Sequence, residues 1–145
     1  MSVARNVVLF AAIAILSLAG LVDSAIALQR HYAKSATQFC DISQQFSCDI
    51  VNRSEYSTIQ GIPVAAIGIA GYAALFFLST WRRSRPETPS RLLFAAIAGF
   101  AFAFYLTWIE AHELMTWCIL CLISQGLIFL ICVLAGFIKL RSPQA

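Results

Sequence analysis

The apolar residues of this chain fall into four long blocks separated by polar turns, and that arrangement limits the fold more than any other feature. A membrane span requires about 20 mainly apolar residues. The blocks at 6–28, 62–81, 92–109 and 115–140 meet or approach that length. At 60% hydrophobic and 12% charged, the 145 residues depart from a soluble chain, which sits near about 45–50% and about 25%. The expectation is one all-α membrane domain over 1–145, a bundle of four transmembrane helices joined on one side by the long segment 29–61. Gly68 and Gly71 in the second block and Gly99 in the third either let helices approach closely or face lipid.

Charge in the connections sets an orientation. The turn after the second block carries Arg82, Arg83, Arg85 and Arg91 against Glu87, with Pro86 and Pro89 expected to end the helices. Arg5, Lys139 and Arg141 lie on the same side, so it holds seven of the ten Lys and Arg residues. Lys and Arg accumulate in cytoplasmic loops, which places both termini in the cytoplasm and the loop 29–61 outside. The turn Glu110–Glu113 is acidic and is also expected outside, as a solvated turn in which His112 is a less favoured proton relay. The net charge of +3 is divided among loops and makes no nucleic-acid surface. The first block exceeds the 7–15 residues or so of a signal-peptide apolar region, so it is read as an uncleaved span despite the small residues near Ala25 and Ala27. Asp23 is read as an interfacial carboxylate, the alternative being a functional intramembrane acid.

Four of the five cysteines form two pairs, Cys40 with Cys48 and Cys118 with Cys121, and all four fall on the outer, oxidising side. Cys118 and Cys121 make a C-x-x-C set at the start of the last helix. Residues three apart share a helical face, and the helix N-terminus favours a thiolate. Trp117 before them adds an aromatic wall at headgroup depth. Cys40 and Cys48 bracket a short polar loop that closes easily into a disulfide, either a structural staple or, beside a C-x-x-C at the membrane face, a shuttle. Zinc is disfavoured by the seven-residue gap and the oxidising compartment, so no metal is expected. Cys132, three turns beyond Cys121, is read as a packing residue.

Together these residues resemble the vitamin K epoxide reductase family, particularly its bacterial single-domain members. The resemblance rests on Cys40-Asp41 and Ser47-Cys48, on Ser54, on Gly61-Ile62-Pro63 leading to Gly68 and Tyr72, and on Cys118-x-x-Cys121. It runs from about residue 21 to 136. It implies a four-helix bundle around a quinone, capped by the outer loop and a short half-embedded helix over 49–59. It further implies that Cys121 reacts with the quinone, Cys118 exchanges with Cys48, and Cys40 faces a thioredoxin-fold partner. The family's tyrosine four residues after the second active cysteine is Gln125 here, and Ser57 is the nearest counterpart of its quinone-contacting asparagine. Ser54, Ser57, Trp117 and Gln125 are therefore the expected quinone contacts. The quinone is of the menaquinone, ubiquinone or vitamin K type, and the setting is a bacterial inner membrane with the cysteines in the periplasm. Two alternatives remain: reduction of vitamin K quinone or its epoxide by partner thiols, and a non-catalytic assembly protein with structural disulfides.

Overall fold

A computed structural model describes residues 2–32, 46–47, 50–51 and 54–141, with side chains from Asn6 onward. Cys40 and Cys48, like most of the outer loop, lie outside the described residues. The first helix, α1, runs Ser2–Tyr32, longer at both ends than its apolar block. No Gly or Pro interrupts its last turns, and Arg30 and His31 there suit the negative end of the helix dipole.

Before the second helix the chain makes a 3-10 turn, Glu55–Ser57, and a small hairpin of β1 (Thr58–Ile59) and β2 (Ile62–Pro63). Thr58 pairs with Pro63 and Ile59 with Ile62. The two turn residues, Gln60 and Gly61, both have positive φ, 53° and 83°, as a type I′ hairpin requires. The half-embedded helix expected over 49–59 is thus replaced at its C-terminal end by a turn and a strand, while Ile50 and Val51 are helical. Helix α2 begins at Val64 and not at Ile62, because the ring of Pro63 pushes the preceding residue into extended backbone.

Helix α2 spans Val64–Thr80, and α3 spans Thr88–Ile109. Helix α3 begins four residues before its apolar block, since Pro89 sits in its first turn, where a missing N–H costs nothing. The connecting turn is closed by an Arg82–Glu87 ion pair at 3.3 Å and by the Thr88 hydroxyl donating to the Arg82 carbonyl. The Glu87 backbone N–H, helped by Arg91, Arg82 and Arg85, holds its carboxyl below the usual range. Beyond α3 the chain widens into one π turn, Glu110–Leu114, stopped by Met115 in left-handed backbone at φ 51°. Helix α4 then runs Ile119–Arg141.

Among the described residues, Asn6–Tyr32, Thr88–Leu114 and Ile119–Arg141 are long and apolar enough to cross a membrane, and Val64–Thr80 is a shorter apolar helix. At 1.5 Å per residue α2 covers about 26 Å of a hydrocarbon layer about 30 Å thick; the hairpin continues the chain beyond it. Large apolar side chains such as Val8, Ile15, Phe94, Phe104 and Leu140 are exposed, as suits a surface whose solvent is lipid. The protein is an integral membrane four-helix bundle.

Helix α1 packs along α2 and α4, and α3 packs along α4. Phe10, Ile13, Tyr72, Leu92, Ile131 and Ile138 belong to the main core cluster. Gly20 lies flat under the Tyr72 ring, where a Cβ would collide, and a Cβ on Gly68 would meet the Ser24 hydroxyl at 2.8 Å. A second cluster of Ala27, Val51, Ala65, Cys118 and Leu120 closes the opposite end of the bundle.

Candidate active site

The C-x-x-C set is built into the start of α4 differently from a pair on one helical turn. Cys118 precedes the first helical residue, and its carbonyl accepts the Leu122 N–H at 3.0 Å. It therefore occupies the N-cap position. Its sulfur accepts the Cys121 N–H at 3.4 Å, as a serine hydroxyl does at many helix starts. The pairing of these two residues thus follows from helix capping as well as from their spacing. Cys121 carries a free thiol.

The two sulfurs differ in surroundings. Cys118 is fully buried, and Val51 of the cap belongs to the cluster around it. Phe46 forms a bridge with Trp117, and the Ser47 N–H donates to the Trp117 carbonyl at 3.0 Å. Ser47 and Trp117 immediately precede Cys48 and Cys118 in sequence. The Ser47 hydroxyl in turn accepts the Ile50 N–H at 3.3 Å, which starts the helical turn of the cap.

Cys121 instead faces inward, onto a cavity of about 420 Å³ walled by all four helices. That volume is in the range of small-molecule sites, about 300–1,000 Å³. Much of the wall is small, with Gly68, Gly71, Ala95, Ala98 and Gly99, so a flat apolar ring fits between the helices. Four residues with oxygen-bearing side chains join Cys121 there: Asp23, Ser24, Tyr72 and Ser124. Tyr72 donates to the Ser124 carbonyl at 3.0 Å and lies 2.7 Å from its hydroxyl, tying α2 to α4 one turn below Cys121.

The four residues expected to contact a quinone are placed elsewhere, and none is among the described cavity-lining residues. The Ser54 hydroxyl donates to the Val51 carbonyl at 2.8 Å, and the Ser57 hydroxyl to the Ser54 carbonyl at 2.6 Å. Ser57 also lies 3.4 Å from His31 Nδ1, so both serines knit the cap to the end of α1. Trp117 is half-buried and engaged through its backbone with Phe46 and Ser47. Gln125 accepts the Thr107 hydroxyl at 3.3 Å across the α3–α4 seam.

Two acids differ from their sequence reading. Asp23 is 7% exposed and lines the cavity, so it is not a solvated interfacial group. It shares a face of α1 with Ser24 and Ala27, which turn toward α2 and the cavity. Glu110, expected on a solvated turn, is 1% exposed. Its Oε2 accepts the Cys118 N–H at 3.0 Å, and its carboxyl stands beside the Cys121 thiol. The rest of that turn does face outward: His112 stacks on Trp108, and Glu113 accepts the exposed Tyr56 hydroxyl at 3.5 Å. Glu113 pushes the Tyr56 hydroxyl pKa up. Cys132 is half-buried against the main core, away from the cavity wall, consistent with packing.

A buried cysteine next to a backbone bridge from the outer segment and a second cysteine on an apolar cavity can pass electrons between two media. Among curated proteins, none matches the chain. Residues 11–136, most of its length, match the vitamin K epoxide reductase family. The chain therefore belongs to the vitamin K epoxide reductase family, and it is a membrane oxidoreductase.

Proposed function

We propose that the protein oxidises thiols outside the membrane and delivers their electrons to a membrane quinone, supporting disulfide formation. Electrons pass from a thioredoxin-fold partner to Cys40 and Cys48, then to Cys118 and Cys121, then to the quinone. Each transfer before the last is attack of a thiolate on a disulfide sulfur, which moves an electron pair and exchanges one S–S bond for another. The Arg-rich end of the bundle lies in the cytoplasm of a bacterial inner membrane, and the cysteine end in the periplasm.

The observation that carries this reading is the division of labour between the two sulfurs of α4. Cys118 follows Trp117, whose carbonyl is bonded to Ser47, the residue before Cys48 in sequence, and Cys121 sits on the cavity. The 3.0 Å bond between Ser47 and Trp117 supports exchange between the cysteines that follow them. The apolar wall orients a ring and excludes water, while Asp23, Ser24, Tyr72 and Ser124 are the polar groups available to it. A bound quinone supplies the terminal oxidant, taking up two electrons and two protons.

The test is quinone reduction by purified protein given a reduced thioredoxin-fold partner, followed by quinone absorbance. Wild type should turn over and Cys121→Ser should not; equal rates would remove the central claim.

A further inference from the structure

Among the described residues, Glu110 is the buried carboxylate in contact with the redox pair, and nothing in the path above uses it. It is held there by its own backbone. The Glu110 carbonyl accepts N–H groups from both Met115 and Thr116, the latter at 3.2 Å, so the π turn closes back onto it. That closure carries the side chain under the start of α4. Oε2 receives the Cys118 N–H at 3.0 Å, and Oε1 is buried with no conventional hydrogen-bond partner among the described residues. A buried carboxylate whose second oxygen meets no N–H or O–H donor and stands against the Cys121 thiol is costly to keep for structure alone. Among the described residues, the groups that bear on its carboxyl are the backbone N–H of Cys118 and the thiol of Cys121.

Resting on the quinone reading above, we propose that Glu110 is the catalytic base of the Cys118–Cys121 pair, taking the proton from Cys121 as its sulfur reacts. Oxidation of the dithiol joins Cys118 Sγ to Cys121 Sγ and releases two electrons and two protons. Both electrons and both protons end on the quinone, which leaves as quinol. Glu110 Oε1 receives the Cys121 proton at the moment the sulfur needs its electron pair, and releases it in the same turnover. In the other half of the cycle the outer dithiol gives up two electrons and two protons as it reduces the inner disulfide, and Glu110 passes one of those protons to Cys121. The Cys118 N–H on Oε2 holds the carboxyl in place throughout. A base near the membrane face is needed here because the apolar cavity gives the thiol no water to ionise into.

Glu110→Gln keeps an oxygen for the Cys118 N–H and removes the base; Glu110→Asp keeps the carboxyl and shortens its reach. The measurement is single-turnover oxidation of the pre-reduced full chain across pH, with a membrane quinone and, separately, with a small-molecule disulfide as oxidant. General-base removal costs about a hundredfold or more. Glu110→Gln should be slowed by that factor at neutral pH and should recover as pH rises, because hydroxide substitutes for the missing base. Glu110→Asp should regain part of the wild-type rate at neutral pH. A merely structural role would lower the rate equally at every pH, and that result, or superimposable profiles for wild type and Glu110→Gln, overturns the proposal. The disulfide oxidant involves no quinone. If wild type fails with quinone while the Glu110→Gln defect persists with the disulfide, the quinone reading falls and the role of Glu110 stands.

Discussion

The backbone N–H of Ser47 donates to the carbonyl of Trp117 at 3.0 Å, so the outer cap is stitched to the residue immediately before Cys118. Each of these segments is followed in sequence by a cysteine, Cys48 and Cys118, the two that the proposed exchange joins. Ordering the segment beforehand removes an entropy cost that a free loop would meet at every turnover.

Disulfide trapping tests that register. In Cys121→Ala, oxidising conditions should give a Cys48–Cys118 disulfide, detected by mass spectrometry of the non-reduced digest. Its absence would count against direct exchange between the cap and Cys118. Cys118→Ala should leave the bundle folded, with normal thermal unfolding in detergent, while the partner no longer reduces quinone.

Two glycines in the same bundle should respond in opposite ways. A Cβ on Gly71 meets nothing within 4 Å, and the position lines the cavity. Gly71→Leu should fold normally and weaken quinone binding, read as a raised KM for quinone with thiol exchange at the cap unchanged. Gly20 faces the Tyr72 ring, and Gly20→Ala should destabilise the protein by about 1–3 kcal/mol through overpacking. If Gly71→Leu left the KM untouched, the cavity would not be the quinone site.

Cys132 packs half-buried against the core. Cys132→Ala should retain full quinone reduction and lose about 1 kcal/mol or less, since only one small group leaves a partly exposed site. Loss of activity in this variant would place Cys132 in the electron path.

Tyr72 bridges α2 and α4 through Ser124. Tyr72→Phe should cost about 1 kcal/mol of stability, the net worth of a neutral hydrogen bond. It should also change quinone affinity, because the bridge stands on the cavity wall below Cys121. Equilibrium unfolding and quinone titration read the two effects separately.

The four apolar blocks are legible in the sequence because hydropathy sums over a window and depends little on neighbours in space. Their ends are less so. Ile62 and Pro63 belong to an apolar block yet form a strand, since a single proline decides the backbone before it. Pro89 reads as a stop and serves as a start. The C-x-x-C at the beginning of α4 is visible from spacing, but the N-cap role of Cys118 depends on where the helix begins. Gln125 and Ser57 are polar residues near the right cysteines, and each is bonded away from the cavity, to a partner distant in sequence or to its own turn.

The sequence alone determines an integral membrane bundle with a cysteine pair opening its last helix, because composition and local spacing suffice for both. Only the tertiary structure decides which acids matter. Glu110 lies two and three residues from His112 and Glu113, and all three are polar residues of one short turn. One π turn and a left-handed Met115 send Glu110 inward while its neighbours face outward. That rotation is set by how the chain re-enters the bundle, a property of packing that no local pattern carries.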